Sequence, residues 1–126
     1  MRDLPESVRK SVQEQSKGAT IRGLHKEVED GKTYYEAEMA VNGRGRDVLM
    51  DATGAIVEIE DEVGLASLPA AAKTGLEKAA GKGTIVKVES ITKNNTIVAY
   101  EAKVQTGGKR SEIQVRPDGK RITEDK

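Results

Sequence analysis

The chain has 126 residues, 36% of them hydrophobic and 33% charged, with 21 Lys or Arg balanced by 21 Asp or Glu. It has no Cys, Phe or Trp and only three Tyr. This excludes disulfides, thiolate chemistry and Cys-ligated zinc, and it lacks both the basic excess and the stacking rings expected of a nucleic-acid binder. The length suits one domain, or two small subdomains sharing a core of Val, Ile, Leu, Ala and Met. No apolar run approaches the roughly 20 residues of a membrane-spanning helix, so no membrane insertion is expected. The zero net charge hides an asymmetry. Residues 1–63 hold 9 basic and 14 acidic side chains, a net of −5, and residues 64–126 hold 12 and 7, a net of +5.

The first element reads as a helix opened by Asp3-Leu4-Pro5-Glu6. Asp3 is the expected cap, Glu6 completes a capping-box-like pattern, and Pro5 is tolerated because first-turn amides lack intrahelical partners. Leu4, Val8 and Val12 recur every four residues as one apolar stripe, and Lys17-Gly18 ends the helix. Thr20 to Val28 is the first strand; Ile21 and Leu24 are three apart, and Gly23 between them permits a bulge. Asp30-Gly31 and Asn42-Gly43 are hairpin turns. Between them, Tyr34 to Val41 alternates with a period of two, sending Tyr35, Ala37, Met39 and Val41 one way and Glu36 and Glu38 the other. Arg46 to Asp51 follows with Val48 and Met50 inward. After Thr53-Gly54, a fourth strand runs from Ala55 to Glu60 with Val57 and Ile59 inward, and Glu60 to Gly64 reads as a connection.

The scheme then restarts. Ser67-Leu68-Pro69 repeats the capped helix start, and Leu68, Ala72, Leu76 and Ala80 form the stripe, which Gly81 and Gly83 stop. Strands are expected at Ile85 to Thr92, Ile97 to Gln105, Ser111 to Arg116 and Lys120 to Glu124. Turns fall at Asn94-Asn95, Gly107-Gly108 and Pro117-Asp118-Gly119. Leu4 and Leu68 are 64 positions apart, as are Ile21 and Ile85; Tyr35 and Tyr100 are 65 apart, as are Gly54 and Gly119. Spacing held through a helix, a strand and several turns indicates an internal duplication. The predicted fold is α+β: two tandem α-β-β-β-β repeats, residues 1–62 and 63–126, each a helix on a four-stranded antiparallel meander. The sheet face away from the helix carries Glu36, Glu38, Asp47 and Glu58 in one repeat and Glu101, Lys103, Glu112, Gln114 and Arg116 in the other. It should be wet, as antiparallel sheets allow.

Leu4-Pro5, Gly31, Tyr35-Glu36, Asn42-Gly43 and Asp51 to Gly54, matched by Leu68-Pro69, Tyr100-Glu101, Gly107-Gly108 and Asp118-Gly119, resemble the PepSY-like, or beta-lactamase-inhibitor-like, domain family. The resemblance covers nearly the whole chain as a tandem pair. It implies a bacterial, periplasmic or secreted protein without a known activity, built like beta-lactamase inhibitory protein, whose open sheet face grips another protein. It also implies links to inhibition of secreted peptidases and, in a few relatives, to metal ions. This chain departs from the inhibitor pattern in having no disulfides and almost no aromatic residues on the open face. Met1-Arg-Asp-Leu-Pro5 is not a signal peptide; for an exported protein, Met1 would be a cloning start.

The candidate residues follow from this reading. Tyr35-Glu36 and Tyr100-Glu101 are explained by a core Tyr beside a solvated Glu in cross-strand pairs. The expected partner is an unidentified protein or peptide, meeting Tyr34, Glu36, Glu38, Asp47, Glu101, Lys103, Glu112 and Arg116. The alternative is a calcium- or lanthanide-type cation on the acidic stretch Glu58, Glu60, Asp61 and Glu62, because hard cations need several carboxylate oxygens; the order of an EF-hand loop is absent. His25, the single histidine, has no partner visible in the sequence. Gly43-Arg44-Gly45 and Gly81-Lys82-Gly83 read as turns, since neither follows a strand and opens a helix as a phosphate loop does. No catalytic constellation and no cofactor motif emerges, so the chain is expected not to be an enzyme.

Overall fold

The computed structural model of the chain describes residues 4–122. These divide into two compact units, with the boundary between Asp61 and Glu62.

Unit 1 contains helix α1 (Glu6–Gln15) and strands β1 (Thr20–Glu29), β2 (Lys32–Val41), β3 (Arg44–Asp51) and β4 (Ile56–Val63), the last running across the boundary. Each strand pairs antiparallel with the next. The turns use the residues the sequence supplies for them: Asp30 and Asn42 hold φ of 52°, followed by Gly31 at 76° and Gly43 at 80°. Paired positive φ is the requirement of a tight hairpin that follows strand twist. Val8 and Val12 of the helix stripe pack with Tyr35, Ala37, Met39, Val48 and Met50, and Leu4, Leu24, Ile56 and Ile59 close the margin. Val8, Ala37, Val48 and Met50 are fully buried.

The expected Asp3 cap lies outside the described residues; α1 follows Pro5, and no side chain among the described residues caps it. Two other expectations need correction. The stretch Glu60 to Val63 is strand rather than connection, because the ladder to β3 continues through Asp47↔Glu60 and Arg46↔Asp61, and Gly64 alone of the expected connection lies outside it. Val57 is not the inward residue of β4. The register slips between Leu49↔Glu58 and Met50↔Ile56, which leaves Val57 as an extra residue and gives the core position to Ile56. Such a bulge re-aims the side chain it adds.

Unit 2 contains α2 (Ala70–Ala80), β5 (Thr84–Lys93), β6 (Thr96–Thr106), β7 (Lys109–Val115) and the two-residue β8 (Arg121–Ile122), again with antiparallel neighbours. Leu68, Ala72 and Leu76 pack against Val88, Tyr100, Ala102, Val104, Ile113 and Val115. The expected Ser67 cap is absent: α2 starts after Pro69 without a side-chain cap, and Ser67 instead donates to the Gly64 carbonyl in a 3-10 turn over Leu65–Ser67. Of the expected last strand, the part beyond residue 122 lies outside the described residues.

In each unit a glycine turn meets the helix backbone. A Cβ on Gly54, at φ 86°, would collide with the Ser7 carbonyl, and Ser11 Oγ donates to the Gly54 carbonyl. A Cβ on Gly119, at φ 90°, would collide with the Ala71 carbonyl, and one on Gly75 with Gly119. These contacts fix each helix on its sheet. The opposite face, expected to be wet, is half-buried in unit 1 at Glu36, Glu38 and Asp47, and in unit 2 it buries Glu89 and Glu101.

Candidate binding face

The alternation of β2 determines what the open face of unit 1 carries. With Tyr35, Ala37 and Met39 in the core, Tyr34, Glu36 and Glu38 stand on the other side. Strand register then supplies their neighbours. Glu36 lies opposite His25 on β1 and Leu49 on β3; Glu38 lies opposite Gly23 and Asp47; Asp47 lies opposite Glu60 on β4. Carboxylates from three strands therefore meet. Glu36, Asp47 and Glu60 each place an oxygen within 4.8 Å of the others, and His25, Glu36 and Glu38 do the same with one ligand atom each.

Gly23 is part of this construction. The register slips between Ile21 and Gly23, so the bulge residue is Arg22. A Cβ on Gly23 would stand 2.7 Å from Glu38 Oε1 and 3.2 Å from His25 Nε2. Its absence leaves the space in which protonated His25 Nε2 donates to Glu38 Oε1 across 2.8 Å. That hydrogen bond, helped by the charges of Glu36 and Glu27, raises the imidazole above its ordinary value. Glu36 is also raised, first by partial burial and then by the charges of Asp47, Glu27 and Glu38. The face therefore concentrates negative charge beyond what its own residues favour, and a cation placed on it relieves that repulsion.

This shift has a measurable consequence. With its value above the ordinary 4.5, folded Glu36 retains a proton that the unfolded chain releases. Its charge therefore costs stability as pH rises through the window above 4.5, and the cost is absent below that window. We expect Glu36→Gln to raise the melting temperature at pH 7 relative to the unaltered chain, with the difference shrinking towards zero at pH 4. An equal difference at both pH values would contradict the crowding of charge on this face.

At one end of the face lies a groove of about 450 Å³ lined by Lys32, Thr33, Tyr34, Asp51, Thr53 and Val57. The Asp51 carboxylate is turned into its own turn, accepting from the Thr53 hydroxyl at 2.6 Å and from the amides of Thr53 and Ala55. The Thr53 hydroxyl, ahead of the two amides, holds it below its ordinary value.

The other residues singled out from sequence are distributed differently. Asp61 leaves the acidic stretch, because strand alternation turns it to the opposite side, where it accepts from Arg46 Nε. Glu60 joins Glu36 and Asp47, whereas Glu58 lies opposite Leu49. Glu62 begins the sequence of unit 2. In unit 2, Glu101 is buried beside Tyr100 and accepts from Gln114 Nε2 at 3.0 Å; burial raises it. Lys103 and Glu112 line a groove of about 570 Å³ together with Arg110 and Ser111, a lining of mixed sign. Arg116 donates to Asp118 at 2.7 Å within its own turn. His25, Val57 and Glu60 are residues that sequence reasoning left out of the face.

No family model matches the chain, and no curated protein is similar to it in sequence. Solved structures are similar. A DUF2874 family protein from Bacteroides ovatus superposes with a TM-score of 0.74 at 18% identity, over 98% of this chain and 87% of its own. A candidate periplasmic protein from Bacteroides eggerthii gives 0.77 at 18%, over 95% and 86%. A BLIP-like protein from Bacteroides fragilis gives 0.70 at 19%, over 99% and 87%. The likeness is one of fold: the chain has an α+β, BLIP-like fold.

Proposed function

We propose that the chain is a non-enzymatic, exported binding module that engages a basic segment of a protein or peptide through the open face of unit 1. The observation that carries this is the convergence of Glu36, Glu38, Asp47 and Glu60, each half-buried, on one face of the sheet beside the His25 imidazole. Similarity of fold to a BLIP-like protein and to a candidate periplasmic protein supports a binding role and export, by analogy of architecture. The PepSY-like resemblance belongs to the same reading, as does descent of the two units from a tandem duplication. Support for the duplication comes from the helix–turn contacts: Gly54 on Ser7 and Gly119 on Ala71 recur at spacings of 65 and 64 residues. The test is titration with a lysine-rich peptide and its glutamate-rich counterpart at low and high salt. The reading requires the first to bind, the second not to, and the binding to weaken with salt.

A second reading is a hard cation on the same face, favoured by the three carboxylate oxygens of Glu36, Asp47 and Glu60 within 4.8 Å. Millimolar calcium or lanthanum would then raise the melting temperature by roughly 5 °C, as ligand present at about ten times its Kd does for a domain of this size. The shift would be lost in Asp47→Asn/Glu60→Gln. No shift at millimolar ion sinks this reading.

A further inference from the structure

Resting on the acidic-face reading, we infer that the basic segment carries a large apolar side chain that seats in the groove between Tyr34 and Val57. Two departures from regular structure make that groove. The register slip in β4 turns Val57 away from the core, and Tyr34 stands on the open side of β2 beside buried Tyr35. Together they place an aromatic ring and an aliphatic side chain at the end of a face that carries Glu36, Glu38, Asp47 and Glu60 around Leu49. Rings with a polar tip are favoured anchors of binding surfaces.

The rim determines what enters. Asp51 is tied into its own turn by Thr53 and Ala55 through Oδ1, and Lys32 opposes its charge across the lining. Lys32 is the cation of the lining, and it repels a Lys or Arg placed in the groove. The positive residues of the ligand are thereby directed to Glu36 and Asp47. Glu36 is two residues from Tyr34 on the same strand face, roughly 7 Å away. An extended ligand matches this spacing with its apolar residue two positions from its first basic residue. The segment recognised is extended, basic, and ends in an apolar anchor.

The test uses two synthetic peptides on the full chain, Ser-Lys-Ser-Lys-Ser-Phe and the same peptide with Ser in place of Phe. The anchored peptide is expected to bind roughly tenfold more tightly, the effect of burying part of a Phe side chain. That advantage should disappear in the uncharged Val57→Asn and also in the milder Val57→Ser, while the serine-ended peptide binds these variants as it binds the unaltered chain. Equal binding of the two peptides overturns the inference and leaves the acidic-face reading intact. An advantage that persists in both Val57 variants overturns the placement of the anchor. Failure of both peptides to bind overturns the inference and the acidic-face reading together.

Discussion

Gly54→Ala is expected to destabilise unit 1 by about 3 kcal/mol, one of the two largest effects foreseen for this chain. Two costs add. A left-handed backbone costs a non-glycine residue about 1–2 kcal/mol, and Gly54 holds φ 86°. The new Cβ would also collide with the Ser7 carbonyl, a backbone atom that cannot rotate away, so helix α1 must shift off the core residues Val8 and Val12 contact. Gly43→Ala is the matched control. Gly43 is also left-handed, at φ 80°, but nothing lies within 4 Å of its Cβ position. It should cost only the conformational part, about 1 kcal/mol. Denaturant unfolding of both variants measures the difference. Equal losses would mean that the helix does not rest on the β3–β4 turn.

Glu36→Gln/Glu38→Gln is expected to weaken binding of the lysine-rich peptide roughly tenfold while leaving the fold intact. Exposed ion pairs contribute up to about 1 kcal/mol each, and removing two approaches a factor of ten. Both side chains lie on the open face, away from the core, and Glu36 sits where its charge is disfavoured. A loss of binding with retained or increased stability separates a surface role from a structural one. The effect should shrink as salt rises, because exposed charges are screened. Unchanged affinity in the double variant would remove these carboxylates from the binding surface.

The parts of the fold that were legible in the sequence are those dictated by local chemistry. Positive φ at Asp30, Gly31, Asn42 and Gly43 follows from side-chain types that tolerate it, so the hairpins could be read directly. The period of two from Tyr34 to Val41 assigned Tyr35, Ala37 and Met39 to the core and Glu36 and Glu38 to the open face. The misreadings lie where pairing between strands overrides local pattern. Val57 looks inward by alternation, but a slipped register against β3 gives that place to Ile56. Glu60 to Gly64 looks like a linker by composition, yet pairing with Asp47 and Arg46 keeps Glu60 and Asp61 in a strand that ends at Val63. His25 appeared isolated because its partners are 11 and 13 residues away; the register running back from the Asp30-Gly31 turn pairs it with Glu36 and brings Glu38, opposite Gly23, to its side. The same logic splits the acidic stretch. Side chains adjacent in sequence diverge on a strand, so Asp61 turns to Arg46 while Glu60 meets residues from two other strands.

The central claim is that the open face of unit 1 is the binding surface. Its most direct test is a map of backbone amide shifts on titrating the isotopically labelled chain with the lysine-rich peptide. The account predicts that the changes concentrate at His25, Glu36, Glu38, Asp47 and Glu60, with Val8 and Val12 unmoved. Changes centred on helix α1, or on Lys103 and Glu112 in unit 2 with the acidic face silent, would contradict it.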